Sequence, residues 1–260
     1  IITCHDIIPF KMSHGVGDRI GRLKYRGLRE ADAIIAISEH TRKDLIDFGV
    51  DETKIHRVYL GVDHRASVIS HEEVRCKFNI PDGRRYLLYV GTEEPRKNFG
   101  RLLQAVAKVG NNAGHIHLIK VGKAGAKKFR NQSLKTLREL GLNSNVTFTG
   151  HVSEKELATF YAMADVFLFP SLYEGFGLPP LEAMASGLPS VAFDYGAARE
   201  HLRDRLHGAA LPFGEETAFL SRFVETALSP DRQAMGAAAR IAVEGLSPDR
   251  VSRDFADLLT

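Results

Sequence analysis

A proline-led turn between an apolar strand and a short helix constrains this chain more than any other stretch. Residues 167–187 read FLFPSLYEGFGLPPLEAMASG. The run 166–169 is apolar and β-prone, and Pro170 ends it. Gly175 and Gly177 lie in the loop that follows. Pro179 and Pro180 suit the first turn of a helix, where a missing N–H costs nothing, and Gly187 suits the position just past its end. Glu174 in the loop and Glu182 in the helix bracket the turn. In a continuous helix, eight residues would hold these carboxylates about 12 Å apart. A loop folding back on the helix N-terminus would aim both into one cleft instead, beside amides that no helix carbonyl satisfies. Amides for phosphate and carboxylates for hydroxyls suit a polyhydroxylated, anionic ligand.

The rest of the chain repeats this unit. Short β-prone runs at 86–90, 116–121, 146–148, 166–169 and 190–193 alternate with helical patterns such as 102–109, 133–140 and 154–163. That alternation predicts an α/β fold with a doubly wound parallel sheet and right-handed crossovers. Ligands in such sheets bind outside the carboxyl ends of the strands, and each motif considered below follows a strand. Helical patterns at 215–228, 231–243 and 248–259 close the chain.

The first sixty residues carry a second set of elements. Residues 1–10, IITCHDIIPF, begin in an apolar strand that ends at Thr3-Cys4-His5-Asp6. A helix is expected at 19–31, where Arg19, Arg22, Arg26 and Arg29 share one face. That face is either solvated, with Leu23 and Leu28 turned inward, or a peripheral contact with an anionic membrane surface. Residues 33–37 read as a buried parallel strand, Ser38 as the cap of a helix at 39–48, and 57–60 as the next strand. The polar residues after Gly61-Val62-Asp63 suit a linker.

Composition excludes several classes. With 44% apolar and 26% charged residues the chain is globular, and a net charge of +3 gives no case for nucleic acid. Cys4 and Cys76 make neither a disulfide framework nor a metal cluster, and no apolar run reaches membrane-span length. A cytoplasmic protein fits best. No G-x-G-x-x-G is present, which removes the main support for nicotinamide binding.

The chemistry-bearing residues follow strands. Val90-Gly91-Thr92-Glu93-Glu94-Pro95-Arg96-Lys97-Asn98 places Arg96 and Lys97 just before a helix, a site for a diphosphate. Thr149-Gly150-His151-Val152 follows another strand, with Lys123 at the mouth of the next. His151 and Lys123 read as structural and surface residues respectively.

The string E-G-F-G-L-P-P-L-E, with its apolar strand before and ASGLPSVAF after, resembles the E-x7-E signature of the retaining, nucleotide-sugar-dependent glycosyltransferases of family 4. Their fold is the GT-B type. Pro95-Arg96-Lys97-Asn98 is similar to that family's P-R-K-N motif, although Thr92 stands where many members have arginine. The resemblance implies a complete C-terminal Rossmann-like domain plus the end of an N-terminal one. The corresponding division is 1–62 acceptor-side domain, 63–84 linker and entry, 85–245 nucleotide-sugar domain and 246–260 a returning helix. It implies an N-terminally truncated member, and hence an open question over its activity alone.

Residue by residue, the resemblance puts Arg96 and Lys97 on the donor diphosphate, Glu174 on the donor sugar and Glu182 on the ribose. It puts the main chain of Gly175, Phe176, Gly177 and Leu178 on sugar or phosphate oxygens, and Val152 in the loop that meets the base. His5 and Asp6 fall on the acceptor side, and His5 counts with Glu174, Lys97 and Arg96 among the catalytic candidates. Asp194-Tyr195-Gly196 and Glu200 stand behind these. Without any D-x-D pair, no metal or other cofactor is expected, and cations with helix N-termini would neutralise the phosphates. The implied reaction moves a sugar from a nucleotide-diphosphate sugar, GDP-mannose favoured and a UDP-sugar possible, to a glycan or lipid-linked acceptor in polysaccharide assembly. The alternatives are a nucleotide-sugar-binding module without transfer, and a GT-B epimerase or phosphorylase.

Overall fold

A computed structural model describes residues 1–8, 19–63, 69–110, 116–193, 196–212 and 216–259. In the first part, β1 (Ile2–Cys4), α1 (Arg19–Glu30), β2 (Ile34–Ala36), α2 (Glu39–Asp47) and β3 (Ile55–Arg57) form a parallel three-stranded sheet in the order β1-β2-β3 with its helices. Ile34, Ala36, Leu45, Ile55 and Leu28 make its core. Ser38 caps α2 through the Thr41 amide, as the sequence suggests. The third strand differs from expectation. It pairs at 55–57 rather than 57–60, because β2 has run out of ladder by Ala36 and Tyr59 turns away toward the second sheet.

The second part begins with α3 (His71–Phe78), capped by Ser70 and closed by Asn79 in the left-handed region at φ 52°. This helix lies within the stretch read from sequence as a linker. Apart from Val74 it exposes most of its surface, so it carries little apolar periodicity to read.

Then come β4 (Arg85–Val90), α4 (Phe99–Gly110), β5 (Ile116–Val121), α5 (Lys127–Glu139), β6 (Val146–Gly150), α6 (Glu154–Met163), β7 (Val166–Phe169), α7 (Leu178–Ala185), β8 (Ser190–Phe193), α8 (Gly196–His201), β9 (Gly208–Leu211), α9 (Glu216–Leu228), α10 (Arg232–Val243) and α11 (Pro248–Leu259). The strands form a parallel six-stranded sheet in the order β6-β5-β4-β7-β8-β9.

Both faces of that sheet are covered, which is why its central strands β4, β7 and β8 are predominantly apolar rather than alternating. Leu87, Tyr89, Leu118, Leu168 and Val191 pack on one side against α4 and α9 residues such as Phe99, Leu103 and Phe223. Leu88, Ile119, Phe167, Phe169 and Ala192 pack on the other against Phe160, Leu181 and Met184. The chain end returns to the first part: the Val62 amide donates to the Leu246 carbonyl at 2.8 Å, and Gly61 lies against Pro248.

The strand order sets the position of the site. From β4 the chain builds outward through β5 and β6, then crosses back to β7 on the other side. The loops after β4 and β7 therefore leave the same carboxyl edge where the strand order reverses, the place at which doubly wound sheets form a ligand crevice.

Candidate donor site at the crevice

The loop after β4 makes a single 3-10 turn, Pro95–Lys97, and ends at Asn98 in the left-handed region at φ 55°. The loop after β7 crosses it: the Leu172 amide donates to the Arg96 carbonyl at 2.7 Å. This crossing brings together residues 77 and 78 positions apart in sequence. Arg96 Nη1 donates to Glu174 Oε2 at 2.8 Å, and Lys97 Nζ to Glu174 Oε1. Arg96 Nη1 also lies 3.4 Å from the Tyr173 carbonyl, and its Nε 3.4 Å from Glu94 Oε2. Lys97 Nζ sits 5.6 Å from the centre of the Phe169 ring, a cation–π distance. The Glu174 and Lys97 side chains are only 11% and 13% exposed, so water screens their attraction weakly.

Glu182 is held differently. Its Oε2 accepts from the buried Tyr161 hydroxyl at 2.7 Å, and that hydroxyl's pKa is driven well above the usual range by burial, with the Glu182 charge adding to it. The carboxylate lines a cavity of about 260 Å³ with Gly61, Asp63, Glu154 and Leu178. Tyr161 was not singled out from sequence. Its signal was a tyrosine among the buried positions of a predicted helix, where a hydroxyl needs a partner.

The turn between the two acids is built as its composition suggests. Gly177 precedes α7 at φ 83°, and Gly187 follows it at φ 72°. Pro179 and Pro180 have no N–H, so the amides at this helix end are those of Gly177, Leu178 and Leu181. Phe176 is 3% exposed and its ring packs 6.0 Å from the Tyr59 ring, so its side chain belongs to the core. Val152 is likewise buried in the core.

On the facing side, His5 is exposed and Asp6 half-buried, its Oδ1 accepting from the Ile8 amide at 3.0 Å. The His5 carbonyl abuts Gly175 so closely that a Cβ built there would lie 2.0 Å from it. Asp194 and Tyr195 lie outside the described residues.

A buried charge cluster supports the first loop. Glu93, whose side chain is fully buried, faces Lys120 Nζ at 3.0 Å and Arg130 Nη1 at 3.2 Å, though neither cation is aligned for a hydrogen bond to that oxygen. Its other oxygen accepts from the Gly125 amide. Lys120 also donates to the Gly122 and Lys123 carbonyls at 2.8 and 3.0 Å. Burial pulls the Lys120 pKa down, against the opposing pull of Glu93.

Comparison with known proteins decides the family. The model described as "Glycosyl transferases group 1" matches residues 70–241, and that described as "Glycosyltransferase Family 4" matches 1–66. The chain belongs to the group 1 glycosyltransferases.

Among curated members it is 34% identical to the GDP-mannose-dependent alpha-mannosyltransferase of Mycobacterium tuberculosis, over 93% of this chain and 61% of that protein. It is 29% identical to the serotype-specific mannosyltransferase WbdA of Escherichia coli, over 72% of this chain and 24% of that one. This glycosyltransferase chain thus spans between about a quarter and three fifths of these relatives. Of solved structures, HepE of Anabaena in complex with UDP and glucose superposes with a TM-score of 0.84 at 22% identity, covering 99% of this chain and 71% of that one. Sucrose-phosphate synthase from Thermosynechococcus elongatus gives the same TM-score and identity, covering 99% and 66%. The fold is the GT-B type.

Proposed function

We propose that this chain binds a nucleotide-diphosphate sugar at the crevice and transfers the sugar, with retention, to a glycan or lipid-linked acceptor. The observation that carries the reading is the meeting of Arg96, Lys97 and Glu174 at the switch point between β4 and β7. GDP-mannose is the favoured donor, in line with the activity for which the mycobacterial relative is named, while the UDP complexes of HepE keep a UDP-sugar open.

In this reading Arg96 and Lys97 neutralise the departing diphosphate. That is the main catalytic task when the C1–O bond breaks with oxocarbenium character. Glu174 takes the sugar hydroxyls, and Glu182, oriented by Tyr161, takes the ribose hydroxyls. The acceptor hydroxyl attacks from the leaving-group face and passes its proton to a phosphate oxygen, so no protein base is needed. His5 and Asp6 lie on the acceptor side. No divalent ion takes part. Peripheral membrane contact through α1 is part of the same reading: Leu23 is 61% exposed beside Arg26, while Leu28 faces the core. The side chains of Arg19 and Arg22 lie outside the described residues.

The test is calorimetric titration with GDP-mannose, UDP-glucose, GDP and UDP, with and without EDTA, beside an assay of donor hydrolysis and transfer. Binding of one pair with turnover unchanged by EDTA is expected. Binding without turnover would favour a module that only holds the donor. No binding would refute the reading.

A further inference from the structure

We infer that Glu200 is a positioning residue for the donor loop, acting across the boundary between the sheets through the N-terminus of α2. Glu200 lies on α8, at the edge of the second sheet, yet its carboxylate is spent on the first part of the chain. Its Oε2 accepts from the Glu39 amide at 3.2 Å and its Oε1 from the His40 amide at 3.1 Å. These are the first amides of α2, which have no helical acceptor and sit at the positive end of its dipole. The Tyr59 hydroxyl adds a third bond to Oε2 at 2.7 Å, and burial together with this bond raises its pKa to about 12.

The same helix end holds the donor loop. Ser38 Oγ accepts from the Thr41 amide at 2.9 Å and donates to the Gly175 carbonyl at 2.7 Å, and Thr41 Oγ1 lies 3.3 Å from that carbonyl. Both hydroxyls are buried, at 0% and 1% exposure. Gly175 is also pressed against the His5 carbonyl, without room for a side chain. The residue before it is Glu174, which meets Arg96 and Lys97.

A continuous run of contacts therefore joins α8 to the carboxylate in the crevice. Glu200 fixes the entry of α2, that entry presents Ser38 and Thr41, and they seat the peptide that aims Glu174. The amides that Glu200 binds are flanked by Ser38 itself, so a shift of the helix start moves the hydroxyls directly. Glu182, Tyr161 and Val152 belong to other contacts. Loss of Glu200 should thus disturb the sugar end of the site and spare the nucleotide end.

The inference rests on the donor reading above, and the measurements separate the two. Glu200→Ala, Glu200→Gln and Ser38→Ala are compared with wild type in three assays. These are turnover of GDP-mannose and UDP-glucose, calorimetric binding of GDP and UDP, and hydrogen exchange of the amides at 174–178. Expected for Glu200→Ala and Ser38→Ala is a fall in kcat of about tenfold or more, with nucleotide Kd no more than about twofold above that of wild type. Exchange at 174–178 is expected to quicken by about tenfold. Glu200→Gln recovers part of kcat, since its amide oxygen still accepts from α2. A kcat unchanged in Glu200→Ala, or nucleotide affinity falling in step with kcat, would overturn the assignment. If the wild type binds neither nucleotide, the donor reading fails, and exchange alone decides the linkage: an unchanged rate at 174–178 in both Glu200→Ala and Ser38→Ala ends it. Should Glu200→Ala not fold, Ser38→Ala carries the same three measurements from the other end of the contact.

Discussion

Lys120→Met isolates the charge cluster beneath the Arg96–Lys97 loop. The substitution keeps an unbranched chain of similar length on β5, so the core formed with Leu118 and Ile116 changes little. What disappears is the ammonium facing Glu93 at 3.0 Å, with both side chains fully buried. At an effective dielectric constant near 20, such a separation corresponds to about 5 kcal/mol of gross attraction. The net effect of breaking a buried pair is about 3–5 kcal/mol, because the abandoned charge stays in a poor solvent. Arg130 at 3.2 Å and the Gly125 amide still face Glu93, which argues for the lower end, about 3 kcal/mol. Two carbonyls, Gly122 and Lys123, also lose their donor.

The double variant Lys120→Met, Glu93→Leu removes both charges, leaving Arg130, which is 20% exposed and can turn to water. Its stability should recover by about 1–3 kcal/mol over Lys120→Met yet stay below wild type, because the Gly122 and Lys123 carbonyls and the Gly125 amide lose their side-chain partners. Urea unfolding followed by far-ultraviolet circular dichroism suits a chain without tryptophan. A single-variant cost below about 1 kcal/mol, or a double variant as unstable as the sum of the singles, would refute the pairing argument.

Three further outcomes are expected. Lys97→Ala should slow sugar transfer by about 10²–10³, the loss typical of one preorganised donor, and unchanged transfer in a steady-state assay would remove Lys97 from the site. Gly175→Ala forces a methyl onto the His5 carbonyl and Asp6, and should destabilise the chain by about 1–3 kcal/mol in urea while lowering transfer; wild-type behaviour in both would mean that the two sheets are not in contact there. Burial, then Arg84, lowers the His117 pKa to about 4, and burial also lowers those of His201 and His207. The unfolded chain then binds more protons than the folded one below pH 6.5, so stability should fall as pH drops from 6.5 toward 4. Each fully neutral histidine contributes a slope of up to about 1.4 kcal/mol per pH unit. Urea midpoints at pH 7, 6 and 5 measure this, and His117→Gln should flatten part of it.

Much of the architecture was legible because both faces of the large sheet are covered, which forces runs such as 166–169 and 191–193 to be apolar throughout. The proline and glycine positions around α7 were legible for a local reason: Gly177 and Gly187 sit at positive φ and the prolines where donors are dispensable. Arg96, Lys97 and Glu174 stood out because each follows a strand, and strand order then brings them into contact. Helix α3 did not show, since it buries Val74 and little else. Lys120 carried a signal of its own, a lysine inside the mainly apolar IHLIKV, but its partner Glu93 follows the neighbouring strand and only the pairing of β4 with β5 joins them. The bond from Ser38 to Gly175 spans 137 residues, and nothing local marks it.

Glu174, seated on Arg96 and Lys97, gives the two cations a counter-ion supplied by the chain itself. On the proposed donor reading, an incoming diphosphate would compete with a tethered rival whose local concentration far exceeds that of any dissolved salt. Bare phosphate would offer the displaced acid nothing in return, whereas a donor would bring hydroxyl groups for it to grasp. On that reading, the ion pair itself would favour the complete sugar nucleotide over its fragments.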